Sequence, residues 1–227
     1  MQEIRSRLKA LIQEKCVLRG DFILASGQRS KVFFDLKRIT LDPEGVHLIA
    51  TLILDLIDDL ARKDGRPIDA LGGPTIGADP IVGHVAGLSW ARASQARSTD
   101  AHSPGGSPTA ASGPQPGAPA GGDLAPAPDT LSHGQVRPIR GFLVRKEEKD
   151  HGTRRIIENE IPRGSRVVVF EDVVTTGSST LQAVRKAVEA GLEVAAIVSL
   201  VDRDQGGAEA LSRYRYIPLF TKSEFGL

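Results

Sequence analysis

The sequence predicts an α/β fold: a central, mostly parallel sheet flanked by helices. Two observations carry this. Short apolar runs at 68–71, 141–144, 166–170 and 193–201 have the length and β-branched content of buried strands. Helical patterns separate several of them, and strands alternating with helices imply a parallel sheet covered on both faces. A third observation places a ligand. At 167–180 an apolar strand passes through two acids into a small, hydroxyl-rich turn and then a helix. In sheets of this kind ligands lie beyond the carboxyl ends of the strands.

The elements follow in order. Ile4, Leu8, Leu11 and Ile12 keep helical spacing, so the chain opens with an amphipathic helix. Residues 21–25 and 31–35 read as two short strands around a Ser26-Gly27 turn. Asp42 and Pro43 start a helix as N-cap and first helical residue. Its stripe is Val46, Ile49, Leu52, Ile53, Leu56, Ile57 and Leu60, and Gly65 and Pro67 stop it. Ile68 to Leu71 forms a strand that enters a Gly72-Gly73-Pro74 loop. Asp79-Pro80 repeats the start signal for a helix reaching about Trp90. Composition then shifts: seventeen of the twenty residues 101–120 are Ala, Pro, Gly or Ser. Such a stretch buries too little apolar surface to offset its ordering entropy. The chain therefore reads as a single domain, 1–227, interrupted by a flexible insertion at about 93–135. Beyond the strands at 141–144 and 166–170, Leu181, Val184 and Val188 mark a helix over 179–190, ended by Gly191. A strand at 193–201 follows, and Tyr214, Tyr216, Ile217, Leu219 and Phe220 read as core.

Bulk properties exclude several function classes. A net charge of +1 provides no basic field for nucleic acid or a membrane surface. One cysteine, Cys16, excludes an internal disulfide and a cysteine-cluster zinc site. No apolar run is long enough to span a membrane, and the N-terminus lacks an apolar signal core, so a cytoplasmic location is expected.

The run from Val167 to Thr180 carries most of the chemistry. The turn Thr175-Thr176-Gly177-Ser178-Ser179 stands at a helix N-terminus, where free N–H groups and the helix dipole attract an anion. A phosphate fits that cup. Glu171 and Asp172 would repel it unless vicinal sugar hydroxyls or a cation lay between. Phosphoribosyl pyrophosphate (PRPP) with magnesium combines all of these groups. The run resembles the PRPP-binding motif of type I phosphoribosyltransferases, and it is not a P-loop, because no Gly-Lys-Ser/Thr follows a spaced glycine.

A second segment, Phe142-Leu-Val-Arg-Lys-Glu-Glu-Lys-Asp-His-Gly152, is a strand feeding a charge-dense loop with Arg145, Lys146, Lys149 and His151. By itself it reads equally as a solvated, salt-bridged loop. Positive donors brought by loop closure would stabilise charge on a departing pyrophosphate and exclude water. The segment resembles the mobile catalytic loop of orotate phosphoribosyltransferases. Residues 22–38 resemble that family's N-terminal orotate-side segment, Gly72 to Pro80 its pyrophosphate loop, and Val201 to Gly207 the segment whose arginine binds the orotate carboxylate.

The resemblance covers nearly the whole chain outside the insertion. It implies a type I phosphoribosyltransferase fold with a small N-terminal hood, and transfer of ribose 5-phosphate from PRPP to orotate. The implied catalytic residues are Lys149, His151 and Asp172. The implied PRPP contacts are Arg145, Lys146, Lys149, His151, Glu171, Asp172, Val173, Val174, Thr175, Thr176, Gly177, Ser178 and Ser179. Thr175 and Arg203 would meet orotate. Mg2+ would be held through PRPP rather than by direct protein ligands. The family is an obligate homodimer whose loop completes the neighbouring site. Ala25 and Gly77 depart from the pattern, since some members carry lysine at or near these positions. Phe33 and Phe34 read equally as ring-flanking or core residues, and Arg203 alternatively as the partner of Asp202 or Asp204. Rival readings are the same fold acting on another base, opposed by Arg203 and the loop, and a non-catalytic PRPP-sensing regulator, opposed by the lack of a helix-turn-helix signal.

Overall fold

Residues 1–23, 29–100, 137–145 and 156–227 are described by the computed structural model. Helix α1 (Gln2–Leu11) opens the chain and continues into a π-helical turn, Ile12–Cys16. Leu8, Leu11, Ile12 and Cys16 are all buried, and burial pushes the Cys16 thiol up to about 12, so it behaves as an inert core residue. Strands β1 (Val17–Ile23) and β2 (Arg29–Phe34) then pair antiparallel as a separate two-stranded hood, with Val17 opposite Phe34. Strand β1 starts four residues before the predicted 21. The intervening turn, including Ala25, lies outside the described residues.

A short helix α2 (Lys37–Thr40) leads into α3 (Pro43–Asp64). The predicted cap is present: Asp42 Oδ1 accepts the Gly45 N–H at 2.9 Å, and Gly65 closes the helix in the left-handed conformation at φ 65°. Strand β3 (Ala70–Pro74) contains the Gly72-Gly73-Pro74 segment that the sequence assigns to a loop. All five of its residues are buried, and the paired neighbours keep it extended to its end. Helix α4 (Asp79–Asp100) runs ten residues beyond the predicted stop at Trp90. Tertiary anchoring explains the extension. Ala93 is buried, Arg92 bonds Asp55 at 3.3 Å, and Ser89 Oγ accepts the Ile139 N–H at 2.9 Å. Residues 93–100 thus belong to the helix, and 101–136 lie outside the described residues.

The remaining elements are β4 (Arg140–Val144), β5 (Ile157–Glu158), β6 (Arg166–Val174), α5 (Ser178–Glu189), β7 (Glu193–Asp202), α6 (Gly207–Ala210) and β8 (Tyr216–Thr221). The main sheet has the order β5-β4-β3-β6-β7-β8 and is parallel except at the β4–β5 edge. Strand β6 lies inside it and shows why parallel strands read as continuous apolar runs. Val168 and Phe170 point into the core built with α1, α3 and α4, while Val167 and Val169 point into the core under α5. Helices thus cover both faces.

Close packing of β3 on β6 requires glycine at 73. A methyl group there would overlap the Phe170 carbonyl oxygen and press on Ala78. Backbone cannot yield as a flexible side chain can, so Gly73→Ala is expected to lose about 3 kcal/mol of stability or more. Thermal unfolding of the variant is the check.

Candidate active site

The turn expected to form an anion cup follows directly on the carboxyl end of β6. Thr175, Thr176 and Gly177 turn the chain into α5, with Gly177 left-handed at φ 78° in the N-cap position. No side chain caps α5, so its first N–H groups face the cleft with the helix dipole behind them. The Thr176 hydroxyl lies 3.3 Å from that of Ser178, and both line the cleft.

The two acids separate, because successive strand residues point to opposite faces. Glu171 is buried and accepts from Thr180 Oγ1 at 3.0 Å and Ser179 Oγ at 3.2 Å, which ties the start of α5 to β6. Asp172 faces the cleft, with Oδ1 accepting the Val173 N–H at 2.9 Å. Burial raises its pKa, partly opposed by that backbone bond and by the charge of Lys37. Gly77 lies directly against the Asp172 carboxylate. A side chain at 77 would begin in contact with this acid.

Arg203 projects from the turn after β7, whose backbone is held by Arg203 N–H donating to the Val174 carbonyl at 2.9 Å. Its guanidinium donates to the Val32 carbonyl at 3.2 Å and approaches Ser30 Oγ at 3.5 Å, bridging to the hood. Nε is buried without a hydrogen-bond partner among the described residues. The alternative of an ion pair with Asp202 or Asp204 does not form. Asp202 accepts from Tyr216 and from the Asp204 N–H, and Asp204 accepts from the Ser223 N–H, each at 2.8 to 2.9 Å. Burial disfavours the arginine charge, which a bound anion would relieve.

The hood supplies the opposite wall: Phe33, Phe34, Asp35, Leu36 and Lys37. The two aromatics, equivalent in the sequence, differ here. Phe34 is 4% exposed and packs on Phe225 with centroids 5.6 Å apart, whereas Phe33 is 37% exposed beside Phe22. Phe34 is thus core at the cleft's edge, and Phe33 offers a free ring face. Lys37 falls within the 22–38 segment, but nothing in the sequence singles it out as a wall residue, because the four-residue helix that carries it has no periodic signal. Its neighbour Arg38 pairs with Asp35 at 3.0 Å, while Lys37 makes no ion pair among the described residues.

The cleft has a volume of about 480 Å³, and Asp172, Val173, Thr175 to Ser179 and Arg203 line it. Val174 is buried behind it and contributes its carbonyl to Arg203. Arg145 lies at the end of β4 in a shallow depression with Pro74, Ser179 and Lys186. It pairs with Glu158 at 3.0 Å, and Lys186 donates to its carbonyl at 2.7 Å. Lys146, Lys149 and His151 lie outside the described residues. Among the described residues no group of three or more His, Cys, Asp or Glu could hold a metal, and no helix is long and apolar enough to cross a membrane.

No protein-family model matches the chain. Individual proteins do. It is 36% identical to the orotate phosphoribosyltransferase of Aquifex aeolicus over 220 residues, 96% of this chain and 93% of that one. It is 34% identical to that of Streptomyces coelicolor over 230 residues, covering 100% of both chains. Among solved structures, Mycobacterium tuberculosis orotate phosphoribosyltransferase in complex with Fe(III) dicitrate is similar with a TM-score of 0.65, at 30% identity and 99% coverage of both chains. The same enzyme in complex with PRPP gives a TM-score of 0.62 at 28% identity, again with 99% of both chains covered.

Proposed function

The chain belongs to the orotate phosphoribosyltransferase family, and on that premise we propose how its cleft performs the transfer. Ribose 5-phosphate passes from PRPP to orotate, giving orotidine 5′-monophosphate and pyrophosphate, a step of de novo pyrimidine synthesis. The observation that carries this reading is that the uncapped start of α5, the Asp172 carboxylate and Arg203 all line one cleft.

The 5′-phosphate sits on the N–H groups and hydroxyls of Thr175 to Ser179. Asp172 accepts from the ribose hydroxyls and stabilises positive charge on the sugar as the C1–O bond to pyrophosphate loosens. Glu171 sets the start of α5 relative to β6, through Ser179 and Thr180, and so supports the phosphate loop. Arg203 takes the orotate carboxylate, and Phe33 flanks the ring. Orotate N1 is already electron-rich and attacks C1 without a strong base, so catalysis rests on positioning and electrostatics. Arg145, Lys146, Lys149 and His151 stabilise the departing pyrophosphate, reaching it from the neighbouring subunit of a homodimer in the cytoplasm.

Mg2+ fits this arrangement as a substrate-borne ion. It typically uses one or two carboxylates plus substrate phosphates, and the described cleft offers only Asp172 and Asp35 as carboxylates. When bound, it would neutralise pyrophosphate charge. The test is orotate ultraviolet absorbance on adding PRPP. We expect a PRPP-dependent fall that a chelator abolishes and added Mg2+ restores. No fall with orotate, but transfer to another base, would overturn the substrate assignment.

A further inference from the structure

Next to Arg203 a partly buried polar chain joins β7 to β8 without lining the cleft. Ser199 in β7 and Tyr216 in β8 meet at 2.7 Å between hydroxyls. Tyr216 donates its proton to Asp202 Oδ2 at 2.8 Å, which leaves Ser199 as the donor to Tyr216. The other oxygen, Asp202 Oδ1, accepts the Asp204 N–H at 2.8 Å. Ser199 and Asp202 are among the most buried polar residues of the chain, at 0% and 3% exposure. Arg203 therefore sits between two acids whose oxygens are engaged elsewhere.

We infer that Tyr216 is a positioning residue for recognition of the substrate carboxylate. By engaging Asp202, it fixes the 202–204 turn that carries Arg203 and keeps the neighbouring carboxylate from neutralising the guanidinium. The inference rests on the proposed role of Arg203. Two features support it. Tyr216 starts β8 opposite Ile197 of the parallel neighbour β7, and its phenol reaches forward along that strand to Ser199 at 2.7 Å and Asp202 at 2.8 Å. Burial also raises the Tyr216 pKa well above the usual tyrosine value, so the hydroxyl keeps its proton at any working pH. Ser199 and Asp202 are buried and Tyr216 half-buried between them, each with a partner, and a paired polar network of that kind specifies one arrangement rather than several. Without the hydroxyl, Asp202 Oδ2 loses its donor and seeks another, and the nearest cation in sequence is Arg203.

The test compares Tyr216→Phe with the parent full-length protein, reading KM for orotate and KM for PRPP separately, and adding Tyr216→Phe/Asp202→Asn. We expect the orotate KM to rise about five- to tenfold in Tyr216→Phe, the loss of roughly one hydrogen bond's worth of recognition. The PRPP KM is expected to stay within twofold. In the double variant the orotate KM should fall back toward the parent value, because no carboxylate remains to capture Arg203. A purely structural role would move both KM values together and would show no recovery. Either of those results, or an unchanged orotate KM, overturns the inference while leaving the transfer reaction intact. Absence of orotate turnover by the parent protein would overturn the functional reading and this inference with it.

Discussion

Asp172→Asn is expected to lower turnover about a hundredfold while leaving the protein as stable as before or more so. The loss follows from the position of the carboxylate. It lines the cleft, its only protein hydrogen bond among those described is from its neighbour's N–H, and its charge lies where positive charge develops on the sugar. Removing one preorganised electrostatic contact of this type costs on the order of a hundredfold in rate. The stability effect has the opposite sign. Burial raises the folded-state pKa above the ordinary value of 3.8. A raised acid contributes stability fully below its unfolded pKa and loses it as pH rises through the folded pKa. At neutral pH the charged Asp172 therefore opposes folding, and asparagine removes that opposition. Melting curves should place the variant at or above the parent at pH 7, with the difference vanishing near pH 4. A variant that is both inactive and unstable at pH 7 would make Asp172 a structural residue.

Arg203→Ala should raise the orotate KM by roughly thirty- to a hundred-and-fifty-fold and leave the PRPP KM nearly unchanged. A charge-assisted, bidentate contact to a planar carboxylate is worth about 2–3 kcal/mol. The same substitution also removes the bridge to the Val32 carbonyl, which joins the sheet to the hood. Arg203→Lys separates the two contributions. Lysine keeps the charge but not the fork, so it should recover only part of the affinity. Steady-state kinetics with each substrate varied in turn is the measurement. Equal changes in both KM values would show that Arg203 supports the hood rather than orotate.

The α/β class, the helix start at Asp42, and the strand–turn–helix order around Thr175 to Ser179 are all legible in the sequence, because each is written in adjacent residues. Proline after aspartate, the Leu181, Val184 and Val188 spacing and four apolar residues in a row are local signals, and the structure follows them at α3, α5 and β6. Boundaries were less legible. Strand β3 extends through Gly72, Gly73 and Pro74 because β4 holds it, and α4 extends past Trp90 because Asp55 and Ile139 anchor it. Those partners are remote in the chain, so local propensity could not weigh them.

The sequence by itself determined which chemistry is present: an anion cup, an acid beside it, and an arginine suited to a carboxylate. Only the tertiary structure decided how those groups are divided. It turned Glu171 inward onto Thr180 and Asp172 outward into the cleft. It sent Phe34 to the core while leaving Phe33 open, and it added Lys37 to the wall. It left Arg203 without an acidic partner among the described residues by giving Asp202 to Tyr216. The physical reason is common to all of these. A side chain's type and spacing state what it can bond, but burial and the nearest competing partner decide what it does bond, and both are set by residues far along the chain.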